Sequence, residues 1–453
     1  MSGSLAGAAQ SATRNGHALV LGGSVAGMCA AQALAGFFER VTVVDRDLLP
    51  TDGTNRKAVP QGTQLHLLLA RGAVDMDLLF PGLLADLRSC GVPVLSDFST
   101  MHLDVAGHVQ RRDASVGRPL YLPTRPFLES RLRSRMADNV AIRQETEVLG
   151  LVGDSGRVTG ARVRSRGAAA ELAADLVVDA TGRGGRCVTW LRDLGVPAPP
   201  EEHLDVDIVY SAGTVRMPIP PGADQAFLLA ATPRRPWGLG ILRQEDDRWM
   251  VNAYGYAGHH PGGDQDSLMA LARVATPTYW YRALQTAQWC GPVVTMHFPR
   301  TVRRRYDRHS GLPEGLLVMG DALCSFNPIY AQGMTVAAIE ALRLRRCVVE
   351  SLEGVGRRFH AATRRELDTV WRLGLGDLRY PGVTGSRPSY LGPLNRYVEA
   401  VQAAGARDPR VTRTFWRVAG LLDPPQHLFH PRVITAAARH GLRVRPAQPT
   451  AAP

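Results

Sequence analysis

Two glycine-centred turns, about 300 residues apart, carry the most specific chemistry of this 453-residue chain. The first is Gly22-Gly23-Ser24-Val25-Ala26-Gly27, and the second is Gly320-Asp321, followed by Pro328, Gly333 and Met334. A glycine turn that opens a helix lets a phosphate approach the backbone. The helix start adds free N–H groups and the positive end of a dipole. In the first turn Gly22 makes the bend, and Gly27 lets helix and strand pack closely. Ser24 puts a Cβ where the pyrophosphate approaches, so glycine at 24 is expected to be tolerated and to tighten binding slightly. Asp45 lies 18 residues beyond Gly27, followed by Arg46. A carboxylate there accepts the hydroxyls of an adenosine ribose. Either turn alone is a weak sign. Both together, with Asp45, point to FAD held along its whole length.

The elements that must position these residues follow from hydrophobic patterning. Ala18 to Leu21 is a buried-strand run, Met28 to Leu34 an alanine-rich helix, and Val41 to Val44 a second strand, which makes a βαβ unit. Leu65 to Leu79 and Pro126 to Met136 read as helices, and Ile142 to Val163 alternates as strands. Leu176 to Val178 and Leu316 to Met319 are further buried strands. Between residues 190 and 300, Val206 to Met217, Phe227 to Ala231, Leu239 to Arg243 and Trp249 to Tyr256 suggest an antiparallel sheet. Met334 to Leu352 is a helix, and the rest is helical with breaks at Pro381, Pro388, Pro393 and Pro424-Pro425. The expected fold is α/β: an FAD/NAD(P)-binding Rossmann-like core with an inserted antiparallel-sheet substrate domain and a helical C-terminal region. The expected divisions are a flexible leader at 1–16, core at 17–189 and 301–352, the sheet region at 190–300, and the helical region at 353–453.

Composition narrows the partners. The net charge of +12 invites nucleic acid or an anionic membrane. However, Lys57 is the only lysine among 53 basic residues, and the arginines are scattered. A solvated surface explains them better than a nucleic-acid site. Six cysteines form no C-x-x-C, and no histidine cluster has zinc spacing, so neither a metal nor a disulfide scaffold is expected. No apolar run reaches the ~18 residues of a spanning helix. No signal-peptide core is visible, and a cytoplasmic protein is expected.

Three further segments resemble flavoprotein monooxygenases. Gly320-Asp321 with Pro328 and Gly333 resembles their G-D…P…G pattern, with Cys324, Ala331 and Thr335 where many members have His, Gly and Asn. Ala174 to Arg183 resembles their middle strand, with Thr181-Gly182 near the pyrophosphate. Arg56-Lys57-Ala58-Val59-Pro60-Gln61-Gly62 resembles a loop of bacterial polyketide epoxidases. The chain as a whole resembles the para-hydroxybenzoate hydroxylase and squalene epoxidase superfamily, nearest to epoxidases of polyether polyketide pathways. The resemblance implies that Arg56, Gln61 and Arg125 lie along the cofactor and that the backbone at Val148 meets adenine. It also implies that Asp321 bonds the ribityl chain and that the helix start at Gly333 and Met334 faces the flavin pyrimidine edge. His66 reads as a core histidine rather than a catalyst.

That likeness implies O2 activation through a C4a-hydroperoxyflavin, with epoxidation or hydroxylation of an apolar polyketide- or terpenoid-like substrate. NADPH or NADH would supply electrons, directly or through a separate flavin reductase. No residue outside the cofactor motifs stands out as a catalytic base, which favours epoxidation, since phenol hydroxylation benefits from one. Trp237, Leu239, Ile241, Trp249, Met250, Tyr254 and Tyr256 are candidates for an apolar pocket or plain strand core. An aromatic hydroxylase, a C=C reductase, a halogenase and a non-catalytic binding protein of the same fold remain alternatives.

Overall fold

The computed structural model describes residues 15–441 apart from Ala58 and Ala223. The expected leader falls outside the described residues up to residue 14. Asn15 already pairs with Phe38, so the first strand takes the last two positions assigned to that leader. Ala58, within the 56–62 loop, also lies outside them.

The core is a five-stranded parallel sheet in the order Leu316–Val318, Leu176–Asp179, Asn15–Leu21, Phe38–Val44, Val140–Arg143. Its central strands are apolar on both faces, and Ala18 to Leu21 and Leu176 to Val178 are fully buried. That is the composition a sheet covered on both faces requires. Helices Val25–Leu34 and Gly333–Glu350 pack against one another over this sheet. Both chemically specific turns therefore leave strands of one sheet and enter helices of one layer. A three-stranded antiparallel sheet, Thr146–Gly153, Val158–Ser165 and Ala168–Ala173, flanks the core.

The second sheet has ten strands built around Glu201–Arg216, which pairs with Arg248–Tyr256 on one side and Val294–Arg304 on the other. Met101–Val105, far earlier in sequence, joins it in parallel beside Ala226–Leu229. Two helices absent from the sequence reading, Gln265–Ala275 and Thr278–Gln285, cover one face. Leu239, Ile241 and Trp249 are buried against those helices, with Trp237 packed beside them, whereas Tyr254 and Tyr256 belong to a separate cluster. Strand side chains alternate between faces. Six of the seven residues considered together, all but Met250, are thus divided between two packing layers.

Other boundaries shift for local reasons. The helix expected from Leu65 starts only at Ala70, because Leu68 is bridged to Tyr121 in an extended segment. Pro393 does not break the C-terminal region. It sits in the first turn of Leu391–Gly405, where its missing N–H would have no helical partner anyway.

Candidate cofactor site

Three turns meet at the C-terminal ends of the parallel strands, where open α/β sheets bind ligands. Gly22 has φ +104°, and a Cβ there would collide with the Ala180 carbonyl and stand 3.2 Å from the Thr181 Cα. Gly320 has φ +64°, and a Cβ there would stand 2.7 Å from the Ala26 side chain. A Cβ at Gly27 would collide with the Gly22 carbonyl. The Gly22 turn therefore abuts both the Ala180-Thr181 backbone and, through the helix at Ala26, the Gly320 turn, and the fit needs glycine at 22, 27 and 320. Val25 is buried beneath the first turn.

A continuous polar network surrounds the first turn. The Gly23 N–H donates to Asp45 Oδ2 at 2.7 Å, and the Asp47 N–H to Asp45 Oδ1 at 2.9 Å. Arg56 Nη1 lies 3.0 Å from Asp45, and Arg56 Nε donates to Glu129 at 3.3 Å. Arg125 Nε donates to Glu129 at 2.7 Å, and its Nη2 to Ser24 Oγ at 2.8 Å. Ser24 Oγ donates in turn to Glu129 at 2.8 Å. Burial alone would raise the Glu129 carboxyl; Arg125 and Arg56 hold it below the usual range instead. Ser24 is thus a bridging hydroxyl and not a spacer, which speaks against the expectation that glycine there would be tolerated and tighten binding slightly.

Glu129 was invisible in sequence because it sits inside an ordinary helix, Arg125–Arg133, with no motif of its own. Its helical spacing from Arg125, four residues, was the available signal. That helix is itself held by the second sheet. The buried Glu245 accepts from the Thr124 N–H at 2.9 Å and the Thr124 hydroxyl at 2.5 Å, and Thr124 is the helix N-cap.

At the other end, Asp321 is half-buried, and a Cβ on Gly333 would stand 4.0 Å from its Oδ1. Burial raises the Asp321 carboxyl, opposed by Arg125 and Arg183. Arg183 in turn lies over the Phe298 ring at 4.5 Å. The Gly320 N–H donates at 2.7 Å to the fully buried Glu340, whose carboxyl burial pushes up to about 8. His66 places Nδ1 2.9 Å from the Gln64 carbonyl, and burial, then Arg125, push its imidazole down to about 4. It is a neutral, hydrogen-bonded side chain.

Not every anticipated residue joins this cluster. Arg46 is exposed and makes none of these contacts. Gln61 is half-buried in the turn Pro60–Thr63, and Pro328 is exposed. Val148 is half-buried and paired with Val163; its strand starts at Thr146, whose N–H donates to the Asp45 carbonyl at 2.9 Å. Met334 is buried at 6% exposure inside its helix.

FAD fits the groups present. Arg56 Nη2 is buried without a hydrogen-bond partner, a cationic donor that lacks an acceptor. Gly182 and Gly184 border open space. The helices starting at Val25 and Gly333 have no side-chain cap and no acidic residue in the first turn, so both present free N–H groups. These are the features an anionic dinucleotide would satisfy.

Comparison with known proteins agrees. A family model described as the FAD binding domain matches residues 16–368, and the chain belongs to that family. It is 35% identical over 450 residues to Protein Rv3254 of Mycobacterium tuberculosis, covering 94% of each chain. Among solved structures, the flavin-dependent brominase Bmp2 superposes with TM-score 0.65 at 15% identity, over 93% of this chain and 98% of that one. The p-nitrophenol 4-monooxygenase PnpA of Pseudomonas putida superposes with TM-score 0.63 at 14% identity, over 90% and 99%. At such identities the structures establish a shared fold. Among the described residues, no helix is long and apolar enough to cross a membrane, and no group of three or more His, Cys, Asp or Glu is placed to hold a metal ion.

Proposed function

We propose that this chain is an FAD-dependent monooxygenase that places one atom of O2 on an electron-rich carbon of an apolar, polyketide- or terpenoid-like molecule. The observation that carries this reading is the convergence of three glycine turns and two uncapped helix starts around Arg125. Bound FAD would supply the activation of O2; the chain's own residues bind, orient and exclude water. Arg56 and Arg125 would meet the phosphates, with Asp45 at the adenosine ribose and Asp321 at the ribityl chain. The free N–H groups at Gly333 would face the pyrimidine edge of the flavin, where added negative charge is favoured. Electrons would come from NADPH or NADH, directly or through a separate flavin reductase, in a cytoplasmic setting.

Epoxidation of a C=C bond is the first reading, supported by the Arg56 to Gly62 loop. Ring hydroxylation is the second. The p-nitrophenol 4-monooxygenase that shares the fold is what supports it. Halogenation gains no support from Lys57, which is exposed, or from Trp237, which packs beside the two covering helices. The test is product mass under ¹⁸O2 with polyene and phenolic candidates, a nicotinamide donor and a general flavin reductase. One ¹⁸O on a former alkene supports epoxidation, and one on a ring supports the second reading. A product that gains two hydrogens and no ¹⁸O overturns both.

A further inference from the structure

The segment between Asp321 and the helix at Gly333 carries a non-glycine residue in the left-handed region. Pro328–Tyr330 is a 3-10 turn, and Ala331 takes φ 52°, ψ 24°. That left-handed position costs a residue with a Cβ about 1 kcal/mol. It persists only where the surroundings over-determine it.

A buried polar cluster outside the cofactor groove supplies that constraint. Asp377, at 0% exposure, sits in the 3-10 segment Leu375–Arg379. Its Oδ1 accepts from the Tyr330 hydroxyl at 2.5 Å and the Tyr256 hydroxyl at 3.1 Å. Its Oδ2 accepts from Asn327 Nδ2 at 2.7 Å. Asn327 Nδ2 also donates to the Tyr256 oxygen at 3.0 Å, and its Oδ1 accepts from the Tyr210 hydroxyl at 3.1 Å and the Ile329 N–H at 3.2 Å. All four hydrogen-bonding positions of that carboxamide are filled. The Tyr256 ring stacks on Tyr380 at 4.1 Å, and Tyr380 accepts from Arg379 at 3.1 Å. Behind the segment, Gln332 Nε2 donates to the Ala419 carbonyl at 2.8 Å. Burying a carboxylate is costly, and apolar packing would stabilise the fold as well. What a buried acceptor of several donors adds is a fixed geometry for those donors.

We propose that Asp377 is a positioning residue. Through Asn327 and Tyr330 it fixes segment 326–332, and with it the direction of the helix start at Gly333. Its bearing on the flavin rests on the FAD reading above; its hold on the segment does not. The amide of Asp377→Asn keeps one acceptor oxygen, so either Asn327 Nδ2 or the two tyrosine hydroxyls lose theirs, and Tyr330→Phe removes one donor without changing the ring.

The test is hydrogen exchange by mass spectrometry on the full chain, flavin-free and with added FAD, in Asp377→Asn and Tyr330→Phe. Exchange over 326–333 is expected to quicken about tenfold in both. Leu19 to Leu21 and Leu176 to Asp179 should keep their protection, and the visible circular dichroism of bound flavin should change. Wild-type exchange over 326–333 in both variants overturns the proposal. Faster exchange with an unaltered flavin spectrum overturns its functional half. Should Asp377→Asn lose protection throughout, Tyr330→Phe alone decides. If the wild-type chain takes up no FAD, the FAD reading fails, while exchange in the flavin-free protein still decides whether Asp377 holds the segment.

Discussion

Ser24 shows how much one hydroxyl changes the meaning of a turn. In sequence it replaces the glycine that lets a pyrophosphate approach. In the structure it bridges Arg125 and Glu129, with both distances 2.8 Å. Ser24→Gly should therefore weaken FAD binding about tenfold, through loss of a charge-assisted hydrogen bond worth about 1.5 kcal/mol. Equilibrium titration of flavin-free protein reads this directly; equal or tighter binding would return Ser24 to a spacer. Glu129→Gln removes the charge that compensates Arg125 and Arg56. It should cost about 3 kcal/mol of folding stability in urea denaturation, as expected when one partner of a buried ion pair is deleted. An unchanged midpoint would show that the network adds no net stability.

At the scale of elements, hydrophobic period and glycine spacing made the strands and turns of the core legible. The apolar runs at 18–21, 41–44, 176–178 and 316–319 all form strands of the parallel sheet. What sequence could not show was which distant segments meet. The strand Met101–Val105 has no local signal for joining a sheet formed after residue 200. Asp377 lies among ordinary helical residues, and only the tertiary fold brings it to Tyr330. The face that a strand residue occupies also depended on partners, which is why Trp249 and Tyr254 part company despite similar character. One departure from the usual motif was legible and has a backbone consequence. Ala331 stands at the glycine position of the monooxygenase pattern that this segment resembles, and its φ is 52°. Ala331→Gly should stabilise the chain by up to about 0.5 kcal/mol, since it removes a Cβ penalty of about 1 kcal/mol and gives back about 0.5–1 kcal/mol in chain entropy. A lower urea midpoint would mean that the Ala331 methyl packs usefully enough to outweigh its strain.

At the scale of the whole molecule, groups buried beneath the glycine turns should register in global stability. Glu340 is the clearest case. Burial raises its carboxyl from 4.5 to about 8, with the Gly320 N–H opposing. Between those values the native state holds a proton that the unfolded chain has released. The contribution is therefore fully present below pH 4.5 and lost as pH rises through about 8. Glu340→Gln keeps an acceptor for Gly320 but cannot ionise. Its stability relative to wild type should rise by about 2 kcal/mol or more from pH 5 to pH 8 in parallel urea titrations. Parallel curves across that range would place Glu340 in a less buried setting than the fold gives it.

The proposed site calls for one extended dinucleotide lying from Asp45 to Gly333, in contact with both glycine turns. Titration of flavin-free protein with FAD and, separately, FMN measures this, with Asp45→Ala and Asp321→Ala alongside. FAD should bind at one per chain and FMN far more weakly, because it lacks the adenosine half proposed to reach Asp45. Asp45→Ala should lose affinity for FAD but not for FMN, and Asp321→Ala for both. A chain that binds no flavin, or binds FMN as tightly as FAD with Asp45→Ala without effect, would contradict the account.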